Sequence, residues 1–238
     1  MPADPPAAPP DSRSFQVSRH LTEHIRHARL KPGDALPSEV SLSRELGVSR
    51  SVVREAYRTL AATGVIETSN GVAPKVSRID SLPVSALMRH ALYTGQITPL
   101  QILELRAALD LQAAKLAARV ANPSQLRALR QSLKAMREAG AVHGAYIRHD
   151  VHFHALMAEA SGNPLIALQV TALSKAARYS IRSGQDAEPA AGAFQALLLR
   201  HQDLLDALSA HDALAAAAAS QAHFEAAQSA LLAGPARS

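Results

Sequence analysis

The sequence predicts a mainly α protein in two parts, a small mixed domain over residues 13–77 and a larger all-helical one over residues 85–233. Three observations carry this. Composition shifts near residue 80, from segments punctuated by Gly and Pro to long stretches rich in Ala, Leu, Arg and Gln. Beyond that point apolar residues recur at helical rather than alternating spacing. Strand formers are scarce there, whereas an Asn70-Gly71 pair suited to a hairpin turn lies before it.

Residues 1–12, rich in Pro and Ala, read as a disordered tail, lacking the basic and apolar regions of a secretion signal. Val17, Leu21, Ile25 and Ala28, spaced four, four and three apart, define one face of an amphipathic helix from Ser14 to Arg29. Lys31-Pro32-Gly33-Asp34 stops it. Ser38 caps a short helix through Leu46, Gly47-Val48 makes a tight turn, and Ser49 caps a second helix to about Thr63, which Gly64 ends. Val65 to Thr68 and Val72 to Val76 then form two short strands about the Asn-Gly turn. Helix, helix, turn, helix and hairpin make a winged helix-turn-helix. Residues 78–84 are the linker, and helices follow at about 84–94, 99–121, 123–139, 143–161, 164–183, 190–210 and 212–233. Three of them open on Thr98-Pro99, Asn122-Pro123 and Asn163-Pro164, where the first residue caps and proline fits the first helical position.

The 238-residue chain has a formal net charge of +5 and no cysteine. Disulfide frameworks, thiolate nucleophiles and Cys-based zinc fingers are thereby excluded, a metal must sit on His and carboxylates, and a reducing cytoplasm is the natural compartment. No stretch reaches the roughly 20 apolar residues of a membrane span. The basic excess matters where it clusters: Arg50, Arg54 and Arg58 recur every four residues along one helix face, with Val52, Val53, Ala56 and Leu60 on the other side. Guanidiniums near the start of such a helix, beside the hydroxyls of Ser49 and Ser51, suit guanine edges and phosphates in a major groove. A solvated Arg-bearing helix is the plainer alternative, and the turn and hairpin around it argue against that.

Pro32-Gly33-Asp34-Ala35-Leu36-Pro37-Ser38-Glu39, Leu46-Gly47-Val48-Ser49-Arg50, Val53-Arg54-Glu55-Ala56, Leu60, Gly64 and Gly71 together resemble the N-terminal domain of GntR-family transcriptional regulators. The resemblance implies that Ser49, Arg50, Ser51 and Arg54 touch an operator from the recognition helix and that Asn70 and Gly71 approach the minor groove from the wing. Ser38 joins the DNA-facing set. Where many members carry an Arg after the Pro-Ser-Glu triplet this chain has Val40, with Arg44 one turn later as its substitute.

The helical part holds a second constellation. Asp150 and His154 lie four apart, so they share a helix face. His201 and His223 are equidistant from His211-Asp212, the expected turn between the last two helices, so an antiparallel hairpin sets them side by side. One carboxylate and three imidazoles converging in a bundle suit a divalent metal, with zinc favoured and nickel, manganese or iron as alternatives. Scattered histidines are the plain alternative, since the chain has 11. Asp150-x-x-Phe153-His154, Ala160-Ser161-Gly162-Asn163-Pro164 and His201 before Asp206-Ala207-Leu208 resemble the FCD effector domain of the FadR-like GntR subfamily. In its metal-dependent members these positions bind the ion, and His223 matches the fourth ligand.

The resemblance also sets Arg106 near an effector pocket, where an Arg in an apolar bundle suits a bidentate clamp on a carboxylate. Its alternative is a salt bridge to Glu104 or Asp110. Arg148, Asn163 and Arg178 are further effector candidates. The expectation is a cytoplasmic, homodimeric repressor that binds an inverted-repeat operator in double-stranded DNA and responds to a small carboxylate or sugar acid. The rival readings are a metal-dependent enzyme acting on an organic acid, and a constitutive DNA binder with an inert helical domain.

Overall fold

The computed structural model describes residues 12–69, 72–140, 145–182 and 191–233. The chain divides into two compact units, residues 1–83 and 84–238. The first contains α1 (Arg13–His27), α2 (Glu39–Leu46), α3 (Arg50–Ala62), β1 (Ile66–Ser69) and β2 (Val72–Val76). Ser12, Ser38 and Ser49 cap the three helices, each hydroxyl accepting from the backbone N–H three residues on. Gly47 ends α2 at φ 61°, a left-handed conformation that costs a residue without Cβ little. Val17 and Leu21 are buried and Ile25 packs beside them, as their spacing requires. Ala28 is exposed instead, because α1 stops at His27 and Arg29 turns left-handed at φ 54°.

β1 and β2 pair antiparallel with Ile66 opposite Val76 and Ser69 opposite Val72. The segment that sequence marks only as a helix stop does more. Gly33 N–H donates to the Val76 carbonyl, Val76 N–H to Asp34 and Leu36 N–H to Pro74, so the chain before α2 edges the hairpin. Asn70 and Gly71, the expected wing-tip contacts, lie outside the described residues.

The second unit contains α4 (Leu82–Tyr93), α5 (Pro99–Val120), α6 (Pro123–Ala139), α7 (Ala145–Ala160), α8 (Pro164–Arg182), α9 (Ala191–Ser209) and α10 (Ala213–Ala233). Thr98 and Asn122 close reciprocal capping boxes with Gln101 and Gln125, each followed by proline at the first helical position. α5 is central, packing against α7, α8, α9 and α10. Its buried Ala113, Ala114, Ala117 and Ala118 keep its surface low enough for close approach. Leu129, Met136, Met157, Leu204 and Leu208 fill the core, each contributing about 1.5–3 kcal/mol by leaving water. Within this apolar interior five ionisable side chains are buried among the described residues: Arg106, Asp110, His154, His201 and His223.

Candidate functional site

His154 and Asp150 come from successive turns of α7, His201 from the middle of α9, and His223 from α10 beyond the turn at His211 and Asp212. His211 adopts φ 56° in that turn, and Asp212 caps α10 by accepting from the Leu214 and Ala215 N–H groups. The hairpin therefore pairs its helices as the numbering predicts, with the His201 and His223 rings 4.6 Å apart between centroids. Asp150 Oδ1 lies 3.1 Å from His201 Nε2 and 3.8 Å from His154 Nε2. His154 Nε2 lies 3.2 Å from His223 Nε2. One donor atom from each of the four residues falls within 4.8 Å of all the others.

The protonation pattern shows what this arrangement suits. His201 Nδ1 lies 2.9 Å from the Leu197 carbonyl, which only accepts, so the proton of a neutral ring resides on Nδ1. Its Nε2 then presents a lone pair to the Asp150 carboxylate, acceptor against acceptor. A cation resolves the conflict, either a proton or a metal ion. Burial pushes the Asp150 carboxyl up, but its hydrogen-bond contact with His201 and its charge interactions with His154, His201 and His223 outweigh that and hold the group well below the usual carboxylate range. Burial, reinforced by His154 and His201, holds His223 well below its ordinary value and thus neutral, the form that ligates. Phe153 and Phe224 wall the cluster, their rings 5.0 Å from His201 and 5.5 Å from His154.

Arg106 reaches the same region from α5. Its guanidinium lies over the Phe224 ring at 5.2 Å and its Nε is 3.6 Å from Asp110 Oδ2, so the alternative of a pair with Asp110 is realised. That pair leaves capacity: Nε and Nη2 of Arg106 are buried without a hydrogen-bond partner. Arg148 is exposed, because two residues before Asp150 on a helix is roughly 200° around the axis. Asn163 spends its carbonyl oxygen capping α8, accepting from Leu165 and Ile166 N–H. Arg178 lies on α8, and its side chain is outside the described residues. Asp110, fully buried and 2.7 Å from His154 Nδ1, is the residue that spacing alone did not single out as part of the cluster. Its signal is its place four residues after Arg106 in a largely apolar helix.

In the first unit Arg44, Ser49, Arg50, Ser51 and Arg54 are exposed, while Val53, Ala56 and Leu60 of the same helix are buried. The Ser49 and Ser51 hydroxyls are 2.9 Å apart at the start of α3. A cleft of about 630 Å³ separates this helix from the hairpin, and Ser38, Arg54, Arg58 and Thr68 are among its lining residues. Arg54 Nε donates to Glu39 Oε2 at 3.2 Å.

A winged helix-turn-helix module followed by a helical domain with a buried His and Asp cluster defines a class of two-domain DNA-binding regulators. The sequence matches the family described as bacterial regulatory proteins, gntR family, over residues 14–76 and the FCD domain over residues 101–226. The chain belongs to the GntR family and carries an FCD domain. It is 30% identical over 218 residues to the HTH-type transcriptional repressor NanR of Escherichia coli K12, covering 88% of this chain and 81% of that protein. It is 33% identical over 142 residues to the HTH-type transcriptional regulator LutR of Bacillus subtilis, covering 60% of this chain. Over its shorter alignments the chain spans only 65% of LutR and 60% of a NanR from Cronobacter sakazakii. A solved GntR structure from Streptococcus agalactiae shares the fold at 23% identity, with a TM-score of 0.67 over 91% of this chain and 99% of that one. These relatives are transcription regulators, and the enzyme alternative is set aside with them.

Proposed function

We propose that the protein is a cytoplasmic, homodimeric transcriptional repressor whose affinity for an inverted-repeat operator is set by a small carboxylate bound beside a metal ion in the helical domain. One observation carries the reading: four ligand-competent donor atoms gather in an apolar core beside a buried Arg106 with unused hydrogen-bond donors. Asp150, His154, His201 and His223 would hold the ion, zinc by preference for three imidazoles and a carboxylate, with nickel, manganese or iron as alternatives. When bound, the ion supplies a Lewis-acidic position for one carboxylate oxygen of the effector. Arg106 supplies charge and paired N–H groups, and the Phe153 and Phe224 rings exclude water that would otherwise screen them. Small carboxylic and sugar acids are the matching effector class. No helix among the described residues is long and apolar enough to cross a membrane.

On the DNA side, Arg50 and Arg54 stand in the first turn and a half of α3, where a recognition helix meets base edges. On an operator fragment selected from random-sequence DNA, Arg54→Ala should weaken binding by about 1–3 kcal/mol if the side chain makes a bidentate base contact. Arg50→Ala should do the same, or weaken all sequences alike and lower the salt dependence if its contact is a phosphate. Unchanged affinity in both variants overturns the assignment of α3. A single winged domain reads few base pairs, so a two-fold dimer joined through the helical domain is expected on an inverted repeat. Sedimentation at micromolar concentration should give twice the 25.2 kDa chain mass, and a monomer with and without operator would contradict the proposal.

A further inference from the structure

Asp110 belongs neither to the donor set nor to the expected effector contacts, yet it is 0% exposed in the interior of the helical domain. A buried carboxylate without partners is strongly disfavoured, so its neighbours identify its task. Oδ1 lies 2.7 Å from His154 Nδ1, both side chains fully buried. Oδ2 has no hydrogen-bond partner and lies 3.6 Å from Arg106 Nε. An ionised carboxylate only accepts, so the proton of a neutral His154 ring is on Nδ1, and the lone pair of Nε2 is directed into the cluster beside Asp150 and His223. His201 is oriented in the same sense by the Leu197 carbonyl, whereas His223 Nδ1 has no hydrogen-bond partner.

We propose that Asp110 is a positioning residue that fixes the His154 ring in the tautomer and orientation presenting Nε2 to the metal. The inference rests on the reading of the cluster as a metal centre. The opposing structural account is that Asp110 serves only as the i,i+4 partner of Arg106. In that account its loss lowers stability and leaves the imidazole unchanged.

Two measurements separate the accounts. The first is the ¹⁵N spectrum of the histidine rings in metal-free wild-type protein, with His154 assigned by its disappearance in His154→Gln. A protonated Nδ1 and bare Nε2 are expected, and the reverse tautomer overturns the proposal without use of any Asp110 variant. The second is Asp110→Asn, which preserves shape while allowing the amide to accept from or donate to Nδ1. Zn²⁺ affinity, read by competition with a chromophoric chelator, should fall about 10- to 100-fold, as for other residues that orient metal-bound histidines. His154 should also lose its single tautomer. Equal Zn²⁺ affinity and an unchanged His154 spectrum in a folded Asp110→Asn protein overturn the proposal. Failure of wild-type protein to bind Zn²⁺, Ni²⁺, Mn²⁺ or Fe²⁺ overturns the metal reading itself. The wild-type tautomer still decides separately whether Asp110 orients His154.

Discussion

Zn²⁺ at a thousand times its dissociation constant should raise the unfolding temperature by on the order of 10 °C, and a chelator should reverse the gain. A ligand that binds only the folded state stabilises by about 4 kcal/mol at that excess. For a unit of this size each kcal/mol moves the midpoint by roughly 2–4 °C. The donors come from α7, α9 and α10, so the unfolded chain cannot present them together and binding energy becomes folding energy. His223→Ala should lose most of the shift, read against the metal-free melting temperature of the same variant, which removal of a buried ring lowers by itself. Acid should act in the same direction as chelation. The His223 pKa is lower folded than unfolded, so below about pH 6.5 the unfolded chain takes up a proton that the folded one refuses, and stability falls. Asp150, held low in the folded state, continues the loss below about pH 4. Differential scanning calorimetry of wild-type and His223→Ala protein, with and without Zn²⁺, checks this, and an equal shift in both overturns the ligand assignment.

Much of this cluster was legible because helices translate sequence spacing into direction. Asp150 and His154 share a face by the four-residue rule. His201 and His223 meet because the Asp212 cap fixes the register of the α9–α10 hairpin. The X-Pro starts fixed three helices for the same local reason, and the Ser caps of α2 and α3 fixed the reading head. What spacing could not show was contact between elements remote in sequence. Asp110 and His154 are 44 residues apart, and only the packing of α5 against α7 brings the carboxylate to Nδ1. Arg148 is exposed, because two residues before Asp150 the 100° rotation per residue carries a side chain to another side of α7. The pairing of the Gly33 to Leu36 segment with the hairpin was invisible for another reason, since Pro and Gly there mark a turn equally well whether or not its backbone later meets a strand edge.

An effector acid should change operator affinity by about 5- to 150-fold in wild-type protein, and the change should vanish in His201→Ala. That range corresponds to the 1–3 kcal/mol of typical allosteric coupling. A ligand shifts an equilibrium only through differential affinity for its two states, so the acid must bind one packing of the helical domain more tightly than the other. The cluster gives a physical means for this. A metal ion held by Asp150, His154, His201 and His223 would tie three helices together, and an acid bound between it and Arg106 on α5 would engage a fourth. Its contacts therefore depend on the relative placement of four helices, and small shifts among packed helices are a common form of switching. For a repressor the expected sign is weakened DNA binding. The effector is first selected from a panel of 2-hydroxy, dicarboxylic and sugar acids by the rise in melting temperature of Zn²⁺-loaded protein. Operator DNA is then titrated with wild-type and His201→Ala protein, each with and without that acid. If the ion were only a structural cross-link, the variant would be less stable but its folded fraction would still respond. An equal effector-induced shift in the two proteins would therefore rule out coupling through the metal centre. No shift in either, with the acid bound, would leave the DNA-binding function standing and identify the helical domain as inert toward it.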